Sequence, residues 1–312
     1  MMSAAKGLLG RLPGLTPLHW GMALLLLTLS YQVVSRHLDH RLYFWLKTSS
    51  QQAEWETRSI WLPDFSVREQ AVPVVGIGNN LSGLVYDEQR DQLWSVVNNP
   101  PELQALSKSG ELLERYSLSG FSDVEDLTLL DNGLLLLVEE GKQALVVVPL
   151  PKGPGTLYRE DYQALTLGIG AGGNQGFEGV GYDRKGDRLY VVKEHSPRQL
   201  YEIQGLRKSL QGNFDLKVID RSDWISNKIF ATDLSAVHFD NKTGHLLLLS
   251  DESKLLMELT DQGELVSLRS LFRGFAGLAH SVPQAEGVTM DERGNLYLVS
   301  EPNLFYRFSR AE

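Results

Sequence analysis

The feature that most constrains this chain of 312 residues is a segment that occurs five times after residue 79. Each copy opens with Ser or Glu, runs into an apolar strand, turns at Gly or Asp, and ends a second apolar strand at an acid or an amide. The spacing of 43, 53, 57 and 51 residues exceeds that of helical repeats and falls near the length of a propeller blade. The opening residues of the five copies are Ser82, Glu125, Glu178, Ser235 and Glu286.

Each repeat also has room for two more strands. Residues 102–107 and "LLERYSL" follow the first copy, and residues 254–260 and "LVSLRSL" follow the fourth; in both, a tight turn ending in Gly joins the two segments. Gly supplies the positive φ that such hairpins need. Four antiparallel strands in each of five units predict an all-β, five-bladed β-propeller. The insertions at 150–175 and 205–232 leave six blades open as an alternative.

The ring needs a strand from the front of the chain in order to close. The fifth repeat stops after its third strand, "LFYRFSR". Residues 56–63, "ETRSIWLP", resemble the outer strands of other repeats. We therefore expect a propeller over 55–312 in which 56–63 is the closing outer strand of the last blade, and closure removes the exposed sheet edges. The alternative is that residues 51–70 are linker.

The repeated acids predict an acid-lined mouth of the central channel. The opening residue lies at the start of the innermost strand, and the next strand, which is antiparallel, returns to the same mouth 14 to 16 residues later. The closing residues there are Asn98, Glu139 or Glu140, Glu194, Asp251 and Glu301.

Such crowding of like charges raises the pKa of each carboxyl, so the mouth needs compensation. A Ca²⁺ ion takes six to eight oxygen ligands from carboxylates, amides and water. Alternatively, the acids cap backbone N–H groups or pair with Lys193, Arg198 or Arg273; both readings are open. The candidate metal ligands are Asn98, Glu125, Glu140, Glu178, Glu194, Asp251, Glu286 and Glu301.

Catalytic signatures are sparse. His195, beside Glu194, is the one candidate for a general base at the mouth, whereas His238 is expected to face away from the Ser235 side. The Gly-rich stretch 168–176 lacks the ending of a phosphate loop, and there is no nucleophile elbow and no zinc-protease motif. The chain has no Cys, which excludes disulfides, thiolate metal sites and a cysteine nucleophile. Two functions follow: a module that binds a small molecule or a protein partner, or a Ca²⁺-dependent hydrolase of lactones, esters or phosphates.

The front of the chain predicts a membrane anchor. Residues 18–34 carry no charge, and about 17 apolar residues is the lower limit for a spanning helix. We expect a cytoplasmic segment over 1–17, a signal-anchor over 18–35 and a juxtamembrane connector over 36–54. The chain would then be a single-pass protein of the bacterial inner membrane, with its propeller in the periplasm. A cleaved signal peptide is the alternative, but no suitable small-residue site follows the apolar run.

Charge limits the ligands of the propeller. Residues 51–312 hold 25 basic and 38 acidic residues, a formal charge of −13. Nucleic-acid binding requires a basic surface, so we exclude it as a partner. A cation or a neutral small molecule fits better.

The segments "NNLSGLVYDEQRDQLWSVVNN", "FEGVGYD" and "SDESKLLMEL" resemble the SdiA-regulated family over residues 75–312. The resemblance implies a membrane-tethered bacterial β-propeller whose name records regulation by a quorum-sensing regulator and no biochemical activity. More distantly, the acid-lined mouth is similar to Ca²⁺-dependent lactonase and phytase-like propellers, which is an analogy at the level of fold.

Overall fold

The computed structural model describes residues 16–35, 38–167, 176–194, 197–226 and 229–310. Among these residues, α-helices occur in the N-terminal region and in the insertion at 205–232. They are α1 (Pro17–Ser35), α2 (Leu38–Trp55), α3 (Leu206–Leu210) and α4 (Asp223–Ser226).

Three short 3₁₀ helices and 21 strands make up the rest of the regular structure of the described residues. The first eleven are β1 (Phe65–Pro73), β2 (Leu81–Asp87), β3 (Gln92–Val97), β4 (Glu102–Leu106), β5 (Leu112–Ser119), β6 (Val124–Leu129), β7 (Leu134–Glu139), β8 (Ala144–Pro149), β9 (Thr156–Tyr158), β10 (Ala164–Thr166) and β11 (Phe177–Asp183). The others are β12 (Arg188–Lys193), β13 (Gln199–Gln204), β14 (Lys217–Asp220), β15 (Ala236–Asp240), β16 (His245–Ser250), β17 (Leu255–Leu259), β18 (Leu265–Ser270), β19 (Gln284–Met290), β20 (Leu296–Glu301) and β21 (Leu304–Arg310).

Five sheets form the blades of a β-propeller, as predicted. Their orders are β2-β3-β4-β5-β9, β10-β8-β7-β6, β11-β12-β13-β14, β15-β16-β17-β18 and β1-β21-β20-β19. The innermost strands β2, β6, β11, β15 and β19 each contact the innermost strands of the two neighbouring sheets, including β19 with β2. This closed circuit of contacts places the five innermost strands around one central channel.

The two insertions complete existing blades and do not add a sixth. The segment 150–167 supplies β9, which pairs in parallel with the outer edge of β5, and β10, the outer strand of the second blade. The second insertion supplies β14, the outer strand of the third blade, together with α3 and α4. The six-blade alternative is therefore wrong.

A strand from the front of the chain closes the ring, but the predicted segment was wrong. β1 pairs antiparallel with β21, from Phe65 opposite Arg310 to Pro73 opposite Leu304. Residues 56–63 instead form turns and the start of a 3₁₀ turn over Leu62–Asp64. The closing strand thus begins nine residues later than expected.

Residues 60–62 do not form the closing strand because their backbone N–H groups bind side chains of another blade. The Glu258 carboxylate accepts the N–H groups of Ile60 (2.8 Å) and Trp61 (3.0 Å), and the Ser267 hydroxyl accepts that of Leu62 (3.0 Å). Trp61 is buried with a left-handed backbone, φ 54°. Side chains of the fourth blade therefore hold this segment, and its N–H groups do not enter a sheet.

The apolar core lies between the faces of adjacent blades. The interface of the first two blades buries Trp94, Leu103, Leu127 and Val146, among others. Equivalent clusters join the second blade to the third, the fourth to the fifth, and the fifth to the first. Burying apolar side chains contributes about 1.5–3 kcal/mol for each large residue, so these interfaces hold the ring together.

Contacts divide the chain into two units, Met1–Lys47 and Thr48–Glu312. The first contains α1, which covers the predicted anchor 18–35. Within the ranges described above, no helix combines the length and apolarity needed to cross a membrane. The signal-anchor, and with it the boundaries 1–17 and 36–54, stays a prediction.

Candidate functional site

The opening glutamates lie at the start of the innermost strands, at β-bulges. Around Glu125, Glu178 and Glu286, the residues on either side pair with consecutive residues of the next strand, so each glutamate is an extra residue without a ladder partner. A bulge interrupts the strict alternation of side chains and re-aims the extra residue. The sequence predicted the position of these acids, but it did not predict the bulges that direct them.

Three carboxylates converge at the second blade. One oxygen from each of Asp123, Glu125 and Glu140 lies within 4.8 Å of the other two. The Asn98 side-chain amide, from the first blade, donates to Glu125 Oε1 at 2.5 Å. The structure therefore brings together Asn98, Glu125 and Glu140 as predicted, and it adds Asp123.

Asp123 was not among the predicted ligands. It lies two residues before Glu125, with a left-handed φ of 57°. The same position holds Asn80, Asp233 and Gln284 in three other repeats. A polar residue repeated two positions before the opening residue was thus a signal that could have identified it.

Glu178, from the third blade, interacts with the carboxyl of Glu140 in this cluster. Burial raises the pKa of Glu178 well above its usual value, and the charges of Glu140, Glu125 and Glu194 raise it further. Burial also raises the pKa of Glu140, but the Gly176 N–H, which donates to Glu140 Oε1 at 3.0 Å, opposes that shift. Of the two carboxyls, Glu178 therefore holds a proton more strongly than Glu140.

Glu125 titrates near neutrality. Burial raises its pKa to about 7, with the Asn98 hydrogen bond opposing the shift and the charges of Asp123 and Glu140 adding to it. A carboxyl with such a pKa is partly protonated at pH 7, and a cation nearby would favour its ionised form.

Glu286, on the opposite side of the ring, behaves similarly. Burial raises its pKa to about 8, and the charges of Asp251, Glu125 and Glu301 contribute, whereas a hydrogen bond from Gln284 opposes the shift. Burial also raises the pKa of Glu301. The interaction of Glu286 with Glu125 places the two halves of the mouth in one electrostatic environment.

Asp251 has protein partners of its own. Its Oδ1 accepts Lys254 Nζ at 2.6 Å and the N–H of Ala285 at 2.8 Å, linking the fourth blade to the fifth. Burial nevertheless raises its pKa. Asp251 thus pairs with a basic side chain and caps a backbone N–H, which the sequence predicted as the alternative to a metal site. The basic residue is Lys254, and not Lys193, Arg198 or Arg273 as expected.

The two opening serines tie neighbouring blades together. Ser82 Oγ donates to the Glu125 carbonyl at 2.6 Å, and Ser235 Oγ donates to the Ala285 carbonyl at 2.7 Å. Each hydroxyl therefore fixes the start of the innermost strand of a neighbouring blade. Ser82 binds the opening glutamate of that strand, and Ser235 binds the residue just before it. The two serines therefore help to position the mouth of the channel.

The remaining candidates are placed as follows. Glu139 is fully buried and is bound by Lys142 (2.8 Å), Arg159 (2.7 Å) and the N–H of Ser122, so Glu140 is the acid of that pair that faces the cluster. Glu194 acts on the Glu178 carboxyl by its charge. His195, the candidate base, lies outside the described residues.

Several solved structures align with this chain in their arrangement of strands but share little of its sequence. A streptogramin B lyase is 11% identical, with a TM-score of 0.47 over 81% of this chain and 100% of its own. A luciferin-regenerating enzyme is 10% identical, with a TM-score of 0.48 over 77% and 95%. Virginiamycin B lyase from Staphylococcus aureus is 11% identical, with a TM-score of 0.42 over 76% and 68%. At these identities the likeness concerns the arrangement of the strands alone.

The sequence profile of one family covers the propeller. It matches residues 57–309, from eight residues before the start of β1 to one residue before the end of β21. The match extends over all five blades and both insertions. This chain belongs to the SdiA-regulated family.

Proposed function

We propose that the propeller is a ligand-binding module whose acidic mouth holds Ca²⁺. The observation that carries the proposal is the convergence of Asp123, Glu125 and Glu140, whose oxygens lie within 4.8 Å of one another. Oxygen ligands at such separations can reach one hard cation, since Ca²⁺–oxygen distances are about 2.3–2.6 Å.

The electrostatics of the mouth support a cation in particular. Glu125 and Glu286 have pKa values raised to about 7 and about 8 because burial disfavours their charged forms. A bound cation would offset this cost by pairing with the ionised carboxylates. The Asn98 side chain, already in contact with Glu125, would supply a neutral oxygen ligand of the kind that Ca²⁺ accepts.

The test is a calcium titration of the metal-stripped protein at pH 8, followed by calorimetry and thermal melting. Ca²⁺ that binds only the folded state raises stability by RT ln(1 + [L]/Kd), about 2.7 kcal/mol at one hundred times Kd. Glu125→Gln should weaken binding by about tenfold or more, the worth of one charged ligand group. Glu111→Gln, at an exposed turn, is the matched control and should bind as the unaltered protein does.

Absence of any melting shift in millimolar Ca²⁺ would contradict the proposal. An equal response of the Glu125→Gln and unaltered proteins would place the ion elsewhere. The loaded protein should also be offered a panel of esters, lactones and phosphate esters. Turnover that disappears in the Glu125→Gln variant would reassign the module as a Ca²⁺-dependent hydrolase, in which the metal polarises the scissile group.

We also propose that α1 attaches the chain to the bacterial inner membrane, with the propeller in the periplasm. Support comes from its leucines, which are between 52% and 72% exposed, and from the lack of charged residues over 18–34. Exposed apolar patches of this kind mark interaction surfaces. Carbonate-washed membranes should retain the full chain and release a chain that begins at residue 48. Release of both would contradict the attachment, and protection of the propeller from protease in spheroplasts would contradict the periplasmic side.

A further inference from the structure

The end of the central channel opposite the acidic mouth holds a cavity of about 520 Å³. Its wall is built from the last residues of all five innermost strands, so it lies on the axis of the propeller. Tyr182, for example, lines the cavity four residues after Glu178 on β11, about 13 Å along an extended strand. The cavity is therefore distinct from the proposed Ca²⁺ site. Its charged lining residues are Glu88, Arg184, Asp240, Lys242, Asp291 and Glu292.

Two of these acids belong to a position that recurs in four blades, at the end of the innermost strand or one residue beyond it. The position is occupied by Asp87, Asp183, Asp240 and Asp291. Outside the cavity lining, Asp87 lies 3.5 Å from Arg90, and Asp183 lies 2.8 Å from Arg188. Asp240 and Asp291 line the cavity, and neither forms an ion pair with a basic side chain of the described residues. Equivalent carboxylates thus have a basic partner away from the cavity and lack one where they face it.

Neutral donors hold the two cavity aspartates in place. Asp240 accepts the backbone N–H of Thr243 at 3.0 Å and its hydroxyl at 2.6 Å. Asp291 accepts the side-chain amide of Asn295 at 2.8 Å and the hydroxyl of Tyr297 at 2.9 Å. Such donors orient a carboxylate, but they bring no positive charge to cancel its own. Both aspartates therefore give the cavity wall a fixed negative charge.

Glu292 adds a third acid without a basic partner, at the rim of the cavity. Its interaction with the Glu88 carboxyl raises its pKa, and the charges of Asp291 and Asp91 raise it further. Glu88 itself lies 3.6 Å from Arg184. Four acids thus line the cavity against two bases, of which one is already paired. An anionic ligand would be repelled by this wall, whereas a cation would be attracted.

His238 adds no positive charge to the cavity. It was expected to face away from the Ser235 side, and it lies at the opposite end of the channel. Burial lowers its pKa to about 4; the charge of Asp240 opposes this shift and that of Arg184 adds to it. The imidazole is therefore neutral at pH 7. Its Nδ1 lies 3.5 Å from Thr289 Oγ1, a hydroxyl that can donate or accept, so either tautomer is open to a ligand.

Aromatic rings provide surface for the uncharged part of a ligand. Tyr86, Tyr182 and Phe239 all line the cavity. The Tyr86 hydroxyl donates to Asp91 at 2.7 Å, which fixes the ring at the wall. Aromatic faces attract cations, and Lys108 Nζ already lies 5.8 Å from the centre of the Tyr86 ring. The cavity thus combines negative charge with aromatic surface.

From this arrangement we infer that the cavity binds an organic cation, an ammonium group on an apolar or aromatic body. The ammonium group would pair with the acids that lack a basic partner, Asp240, Asp291 and Glu292. A volume of about 520 Å³ lies in the usual range for sites of drug-sized ligands. Within the described residues, the cavity acids do not converge as the three carboxylates of the other mouth do, which favours an organic cation over a metal ion. Ca²⁺ at that mouth is not required.

The test is calorimetry of the full chain in EDTA with three phenyl compounds of similar size that differ in charge at pH 7. They are 2-phenylethylamine, a cation, 2-phenylethanol, which is neutral, and 3-phenylpropanoate, an anion. The amine should bind saturably, and the other two about tenfold more weakly or worse, the worth of a charge-assisted hydrogen bond. Added salt should weaken amine binding. The imidazole resonances of His238, identified by their loss in His238→Gln, should shift along the same saturation curve.

Glu292→Gln tests the acids with little risk to the fold, since Glu292 is exposed. It should lower amine affinity about two- to fivefold, the worth of an exposed charge pair. The double variant Asp240→Asn/Glu292→Gln should lower it by about tenfold or more. Glu111→Gln removes the same charge from an exposed turn outside the cavity lining and should leave the affinity unchanged. Unchanged melting temperatures would show that the variants fold.

Three results would overturn the inference. The first is the absence of a saturable shift of His238 at millimolar amine. The second is an alcohol that binds as tightly as the amine. The third is a folded double variant that binds the amine normally, or a Glu111→Gln variant that loses as much affinity as Glu292→Gln, because the attraction would then come from the net charge of the whole propeller.

Discussion

Adjacent acids in this chain have different surroundings, and this decides what each one does. Asp126 is buried and accepts the N–H of Val180 at 2.7 Å, so it joins the second blade to the third, whereas its neighbour Glu125 faces the channel mouth. Glu139 is enclosed by Lys142 and Arg159, whereas its neighbour Glu140 belongs to the cluster. In both cases one acid is held by donors of the protein, and the next lies in the acidic mouth of the channel.

The raised pKa values predict how stability changes with pH. Glu125 and Glu286 ionise near pH 7 and pH 8 when folded, against 4.5 for an unperturbed glutamate. Between pH 4.5 and 8 the unfolded chain loses these protons first, so the free energy of unfolding falls as pH rises. In EDTA, the melting temperature should be lower at pH 8.5 than at pH 5.5. Over this pH range Glu125 contributes about 2 kcal/mol and Glu286 about 3 kcal/mol, at about 1.4 kcal/mol for each pH unit between the two ionisations.

Calcium should reverse this dependence, because it binds the ionised carboxylates. Affinity should rise with pH through 7 to 8, and calorimetry in buffers of different ionisation enthalpy should detect proton release on binding. The Glu125→Gln/Glu286→Gln double variant removes both titrations and should flatten the EDTA curve. A curve in EDTA that rises from pH 5.5 to 8.5 would contradict the assignment of these pKa shifts.

At the scale of the strand, the glycines that follow the opening glutamates allow neighbouring blades to approach. A Cβ built on Gly179 would lie 2.7 Å from backbone atoms of Ala236 and Val237, on the innermost strand of the fourth blade. A Cβ on Gly287 would lie 2.7 Å from the backbone of Gly83. No side chain fits at these distances, so glycine is required for steric reasons.

Gly179→Ala should therefore destabilise the propeller by about 1–3 kcal/mol, the usual cost of overpacking. The cause is that β11 and β15 would have to separate where they form the wall of the channel. Chemical denaturation followed by circular dichroism measures the loss. Gly153→Ala is the matched control, since a Cβ there meets no atom within 4 Å. Equal stability of the two variants would show that the blades can adjust without cost.

At the scale of the whole molecule, closure depends on a strand from far away in the sequence. β1 shields the outer edge of β21, and Glu258 and Ser267 of the fourth blade hold the residues just before β1. The front of the propeller is thus attached to both the fourth and the fifth blades. An uncovered β21 would expose unpaired N–H and C=O groups along a sheet edge.

A chain that begins at residue 75 lacks β1 and should be largely insoluble or aggregated, whereas one that begins at residue 48 should be soluble and fold. Size-exclusion chromatography and thermal melting distinguish these outcomes. A monomeric chain from residue 75 that melts at the temperature of the longer chain would contradict the importance of closure.

Most of the architecture could be predicted from local pattern. Strand alternation, turn glycines and the five opening residues depend on interactions between residues close in sequence, and these predicted the blades and their strands. Glu125, Glu178 and Glu140 were assigned to one mouth because antiparallel neighbours return to the same end. Those inferences needed only the repeat and the geometry of a strand.

Tertiary structure alone decided which segment closes the ring, which acids face the channel mouth, and where His238 lies. Residues 56–63 resemble a strand, but Glu258 binds their backbone across about two hundred residues of sequence, and β1 closes the sheet instead. The bulges that direct Glu125, Glu178 and Glu286, and the contact between His238 and Thr289, likewise arise from packing between strands. Local sequence sets the preference of each segment for a strand or a turn, whereas partners distant in sequence decide which backbone groups and side chains are used.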